Sequence, residues 1–150
     1  MTGRVNLGGL LKRNKKRRVK RGSKKHKNQS LVILSANSEG LKPKLESLKN
    51  ELKILNAGVF TLQETHFSQK GKFRLDNYEM FEAIREKYNG GTIIGVNKAL
   101  SPMLIKAYSD DFELVVVEIK INNKEIRIIS GYGPQETWNE ADRLPFFLAL

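Results

Sequence analysis

Two oxygen-bearing side chains stand where short apolar runs break off, a place where chemistry is readily positioned. Val59-Phe60-Thr61-Leu62, preceded by Gly58, gives way to Gln63-Glu64-Thr65-His66, and Leu31-Val32-Ile33-Leu34 gives way to Ser35-Ala36-Asn37. Both runs are short and rich in β-formers, so they read as buried strands rather than helices. In open α/β sheets ligands bind beyond the carboxyl ends of the strands, which makes Glu64 a candidate metal ligand or acid-base group. From position alone the plainer reading is a solvated glutamate opening a loop. Asn37 is equally suited to capping the turn that follows it.

The segment between them brings the two together. Leu41, Leu45, Leu48, Leu52 and Leu55 recur every three or four residues and form one apolar helical stripe, with Pro43 in the first turn. A strand, helix, strand crossover sets its two strands parallel, so Asn37 and Glu64 arrive at the same sheet edge. Further strands are expected at Tyr78 to Ala83, Gly91 to Val96, Met103 to Ala107, Glu113 to Ile121 and Glu125 to Ser130, the last two joined by a tight turn at Asn122-Asn123. Leu114 to Val117 is nearly continuous in β-branched residues, which implies a strand covered on both faces. A helix is expected from Asn139 to Leu150, kinked at Pro145, with Phe146 and Phe147 as core residues. The fold class is α/β.

These residues carry a resemblance. Asn37 within N-x-x-G-L, the amphipathic helix and then L-Q-E-T resemble the opening of the endonuclease/exonuclease/phosphatase superfamily, with the endonuclease domain of LINE-type (non-LTR) retrotransposons the nearest in pattern. That domain is itself related to apurinic/apyrimidinic endonucleases. Asn89-Gly90-Gly91-Thr92-Ile93-Ile94-Gly95-Val96 is similar to the family's glycine-led strand, and Ile128-Ile129-Ser130-Gly131-Tyr132-Gly133-Pro134-Gln135 to its N-x-Y-x-P-N segment, with Gln135 where Asn is usual. Four motifs in the right order make the match specific.

The resemblance implies hydrolysis of DNA phosphodiesters with a divalent cation, magnesium or alternatively manganese. Glu64 and Asn37 would hold the cation, and Tyr132 would contact the phosphate. It also implies a four-layer sandwich of two sheets with helices outside, of which residues 31–150 match the N-terminal half. The second sheet is then expected from outside this chain, leaving an apolar sheet face that another chain or a C-terminal half would cover. The family's later aspartate, asparagine and histidine have no counterparts to assign. His66 belongs to the Q-E-T segment rather than to that missing set. A phosphatase or sphingomyelinase-like substrate, and a non-catalytic nucleic-acid-binding or interaction fragment, are the alternative readings.

Charge divides the chain. Of 27 Lys and Arg residues, 12 fall within residues 1–30, which contain no acid, leaving 15 basic residues against 16 acidic ones. The pI of about 9.9 therefore describes a segment, not the body. That segment cannot bury enough apolar surface to fold alone, so a disordered basic tail over 1–30 and one domain over 31–150 are expected. Lys12, Arg13, Lys15, Lys16, Arg17, Arg18, Lys20 and Arg21 are dense enough for DNA-phosphate binding or nuclear localisation, with a merely solubilising arm as the alternative. His26 is expected to be a solvated bystander. Trp138 suits base stacking or packing, packing being the commoner role. No run is long enough for a signal peptide or membrane span, and the absence of cysteine excludes disulfides and thiolate-bound zinc.

Overall fold

The computed structural model describes residues 30–85, 90–109, 112–133 and 139–149. The basic residues of the N-terminal segment, together with Pro134, Gln135 and Trp138, lie outside the described residues, as do the side chains of Phe146 and Phe147. The elements in order are β1 (Ile33–Asn37), α1 (Leu45–Leu55), β2 (Val59–Gln63), β3 (Tyr78–Ala83), β4 (Thr92–Asn97), β5 (Met103–Tyr108), β6 (Glu113–Ile121), β7 (Lys124–Tyr132) and α2 (Glu140–Ala149). Pro43 sits in a short 3-10 turn, Lys42–Lys44, that leads into α1. There its missing N–H costs nothing.

The first sheet runs β1-β2-β4-β3, with β1 parallel to β2 and the other pairs antiparallel. The second is the antiparallel meander β5-β6-β7, whose Asn122-Asn123 turn has both residues at positive φ, as a tight hairpin requires. Alternation along each strand decides the layers. Val59, Phe81, Ala83, Ile94 and Val96 of the first sheet meet Val115, Val117, Ile119 and Ile128 of the second in one apolar cluster, so the sheets pack face to face. Phe60, Leu62 and Ile93 point the other way, into a cluster with Leu48 and Leu52 of α1. Fully buried Phe60 meets Tyr78 edge-on, with ring centroids 5.2 Å apart, and lies against Gly95, where any Cβ would clash with its ring. Burying such a side chain contributes roughly 2–3 kcal/mol.

Two expectations are corrected. The second sheet does not come from outside: residues 103–132 supply it, and β7 packs against β2 and β4, β6 against β4 and β3, and β5 against β3. The expected uncovered sheet face is therefore largely closed, because the run Leu114 to Val117 is itself the covering strand and is buried on both faces. The first strand is also neither where nor what the apolar run suggested. It spans Ile33–Asn37 and is mostly exposed, because β1 is an edge strand. Its residues on the face turned toward the second sheet, Ile33, Ser35 and Asn37, stay exposed. No helix among the described residues is long and apolar enough to cross a membrane.

Candidate active site

The parallel register pairs Asn37 with Gln63, so β1 and β2 end side by side and Glu64 follows at once. The two loops leaving the strands are bound to each other through the backbone. Ser38 N–H donates to the Gln63 carbonyl at 2.8 Å, Gly40 N–H to the Glu64 carbonyl at 2.8 Å, and Leu41 N–H to the Thr65 carbonyl at 3.0 Å. The Ser38 hydroxyl lies 2.8 Å from the Gln63 carbonyl and 3.1 Å from that of Glu64. Lys44 Nζ donates to the Ser38 carbonyl at 2.5 Å and so brings a positive charge to the rim. Asn37 Oδ1 accepts from Glu39 N–H at 3.1 Å, so the turn-capping role is present; a carbonyl oxygen keeps a second lone pair for another contact.

From the other side, the Gly90-Gly91 turn holds the same loop. Thr65 N–H donates to the Gly91 carbonyl at 3.2 Å and His66 N–H to the Gly90 carbonyl at 2.8 Å. Glu64 and His66 both take left-handed backbone, φ 50° and 55°, as do Glu39 at 43° and Gly40 at 89°. For a residue with a Cβ this conformation costs on the order of 1–2 kcal/mol and persists only where the surroundings enforce it. Among the described residues, three of the seven non-glycine residues in left-handed backbone, Glu39, Glu64 and His66, lie in the two loops that leave β1 and β2. Its side chain is partly exposed, and among the described residues the carboxylate makes no hydrogen bond or ion pair.

Beneath this edge lies a polar layer between the sheets. Gln63 Nε2 donates to Ser130 Oγ at 2.7 Å, and Ser130 Oγ lies 2.7 Å from Thr92 Oγ1, with Ser130 only 2% exposed. Thr61 Oγ1 donates to Ser35 Oγ at 2.9 Å. The layer fixes β7 over β2 and β4, and Tyr132 stands two residues beyond Ser130 on the same face of β7. The structure thus brings Asn37, Glu64 and Tyr132 to one end of the sandwich. His66 is exposed and stands against Gly40. Ser38, Gln63, Thr92 and Ser130 were not singled out from sequence. The available signal was polar residues at inward positions of apolar strands, as in Thr61 and Gln63.

Glu64 and Asn37 offer only oxygen, the donor type that a hard divalent cation takes, and magnesium commonly binds through one or two protein carboxylates while keeping several waters. The residues fit such an ion in kind. Among the described residues no group of three or more His, Asp or Glu side chains converges, so the set from this chain is small.

No protein-family model and no curated protein matches the sequence. Solved structures do. An AP endonuclease, LMAP, from Leishmania major superposes with a TM-score of 0.58 at 16% identity, over 77% of this chain and 44% of that one. TDP2 from D. rerio, complexed with single-strand DNA product, gives 0.59 at 18% identity over 79% and 52%. The APE2 catalytic domain from Xenopus laevis gives 0.57 at 16% identity over 77% and 50%. The fold is therefore the α/β sandwich that these solved structures share, and this chain spans about half the length of the solved structures it matches.

Proposed function

We propose that this chain forms the N-terminal part of a metal-dependent phosphodiesterase domain that cleaves DNA, of the retrotransposon endonuclease kind, with residues 31–150 as the domain and residues 1–30 as a basic DNA-binding segment directed to the nucleus. The observation that carries this reading is Glu64: a carboxylate without a protein partner among the described residues, held in left-handed backbone where two parallel strands end. The fold is one it shares with an AP endonuclease and with TDP2.

Glu64 and Asn37 would hold magnesium, or manganese in its place, and the ion when bound supplies positive charge against the phosphate oxygens. The rest is the work of the chain itself. The loop-to-loop hydrogen bonds keep the Glu64 backbone in place before substrate arrives, so little reorganisation of the turn accompanies binding. The Tyr132 hydroxyl donates to a phosphate oxygen, and Lys44 adds positive charge at the rim. The second reading, a non-catalytic DNA-binding fragment, is favoured by the small donor set.

A complementation assay separates the two. Residues 1–150 alone are expected to leave supercoiled plasmid intact in magnesium. Together with a second polypeptide corresponding to the remainder of a related domain they are expected to nick it. The open side on which that polypeptide would dock is bounded by the edge strands β1 and β7. Binding without nicking in both mixtures would leave the non-catalytic reading standing.

A further inference from the structure

Glu113 opens β6 and is fully buried, on the face that carries Val115, Val117 and Ile119 into the inter-sheet core. Its Oε1 accepts from Arg85 Nε at 2.5 Å and from Gly91 N–H at 3.3 Å, while Oε2 is buried and has no hydrogen-bond partner among the described residues. A buried carboxylate with an unsatisfied oxygen works against stability, and every other inward position along this stretch of β6 is apolar. Groups that break the local rule in this way are commonest where a site needs them.

What Glu113 holds supplies the reason. Gly91 is at φ 95°, and a Cβ there would stand 2.5 Å from Thr65 Oγ1, so this peptide is pressed directly against the Glu64 loop. Its N–H goes to Glu113, its carbonyl receives Thr65 N–H, and the preceding Gly90 carbonyl receives His66 N–H. A chain of hydrogen bonds runs from Arg85 through Glu113 and the Gly90-Gly91 turn to the residues immediately after Glu64. Glu113 also stands opposite Tyr132 in the β6/β7 register.

We propose that Glu113, clamped by Arg85, is a positioning residue that fixes the strained Glu64 turn by holding the Gly91 peptide. The inference rests on the reading of Glu64 as a metal ligand, but its central element is conformational and is tested without activity. Amide hydrogen exchange of the full 150-residue chain is compared for wild type, Glu113→Gln and Glu113→Leu. Gln keeps an acceptor oxygen for Gly91 N–H and Leu does not. In Glu113→Leu the amides of Gly91, Thr65 and His66 are expected to exchange at least about tenfold faster, while those of Phe60, Ile94 and Val117 stay within about threefold of wild type. Glu113→Gln is expected to return the three loop amides to near-wild-type protection.

Unchanged loop amides in Glu113→Leu would overturn the proposal. So would a uniform acceleration of all amides in Glu113→Gln, which would make Glu113 a general stability residue. Titration with manganese chloride, read as paramagnetic broadening at the Glu64 and Thr65 amides, then tests the underlying reading separately. No broadening in wild type would contradict Glu64 as a ligand whatever the exchange data show.

Discussion

A glutamate in left-handed backbone is an arrangement that a chain keeps only under constraint, and at Glu64 the constraint comes from both neighbouring turns. Gly91 is the tightest point, because it combines positive φ with contact to Thr65. Gly91→Ala is therefore expected to destabilise the protein by about 2–4 kcal/mol, adding an unfavourable backbone conformation to overpacking, and a urea or thermal melt reads this directly. A variant as stable as wild type would show that the turn is looser than the contacts indicate. The placement of Glu64 and Asn37 side by side at one end of the sheet was legible in the sequence because a strand, helix, strand order sets the two strands parallel. Glu113 was not, because an acid at the start of a β-branched run reads as a solvated strand end; only the fold shows it buried beside Arg85 and Gly91. Ser130 was equally hidden, since its partner Gln63 lies 67 residues away.

At the scale of elements, alternation and turn residues were informative wherever a strand is buried. β3 and β6 have the expected bounds, and the Asn122-Asn123 hairpin is as anticipated. The failures share a physical cause: whether a strand is central or at an edge depends on partners distant in sequence. β1 lost its expected burial that way, and the second sheet was assigned to a missing half although residues 103–132 already contained it. Tyr78 shows how one side chain ties elements together. At the start of β3, its hydroxyl donates to the Ala57 carbonyl at 2.6 Å, just ahead of β2, and burial pushes its pKa up from 10.0. Tyr78→Phe leaves that carbonyl without its donor and should cost about 1–2 kcal/mol at neutral pH. Because the folded pKa is the higher one, the Tyr78 contribution is fully present below about pH 10 and is lost as pH rises through the folded value. The stability gap between wild type and Tyr78→Phe should therefore narrow in alkaline solution, and a gap that widens there would contradict this assignment.

For the whole molecule, charge and fold divide the labour. In the proposed function the 12 basic residues within residues 1–30 would give duplex DNA a sequence-independent partner, and the body, with 15 basic against 16 acidic residues, would act by geometry. Each phosphate neutralised steepens the salt dependence by about 0.9 log units of affinity per log unit of salt, so removing residues 1–28 should flatten the slope markedly. An unchanged slope would place the electrostatic binding on the body instead. The central claim is that Glu64 serves metal-dependent cleavage and not DNA binding, and the most direct measurement is to introduce Glu64→Gln into the complemented nicking reaction. Plasmid nicking in magnesium should fall below detection while DNA affinity stays within about twofold, since the change would remove the proposed metal ligand and leave the basic segment intact. Nicking that persists in Glu64→Gln, or that is lost only in step with DNA binding, would contradict the account.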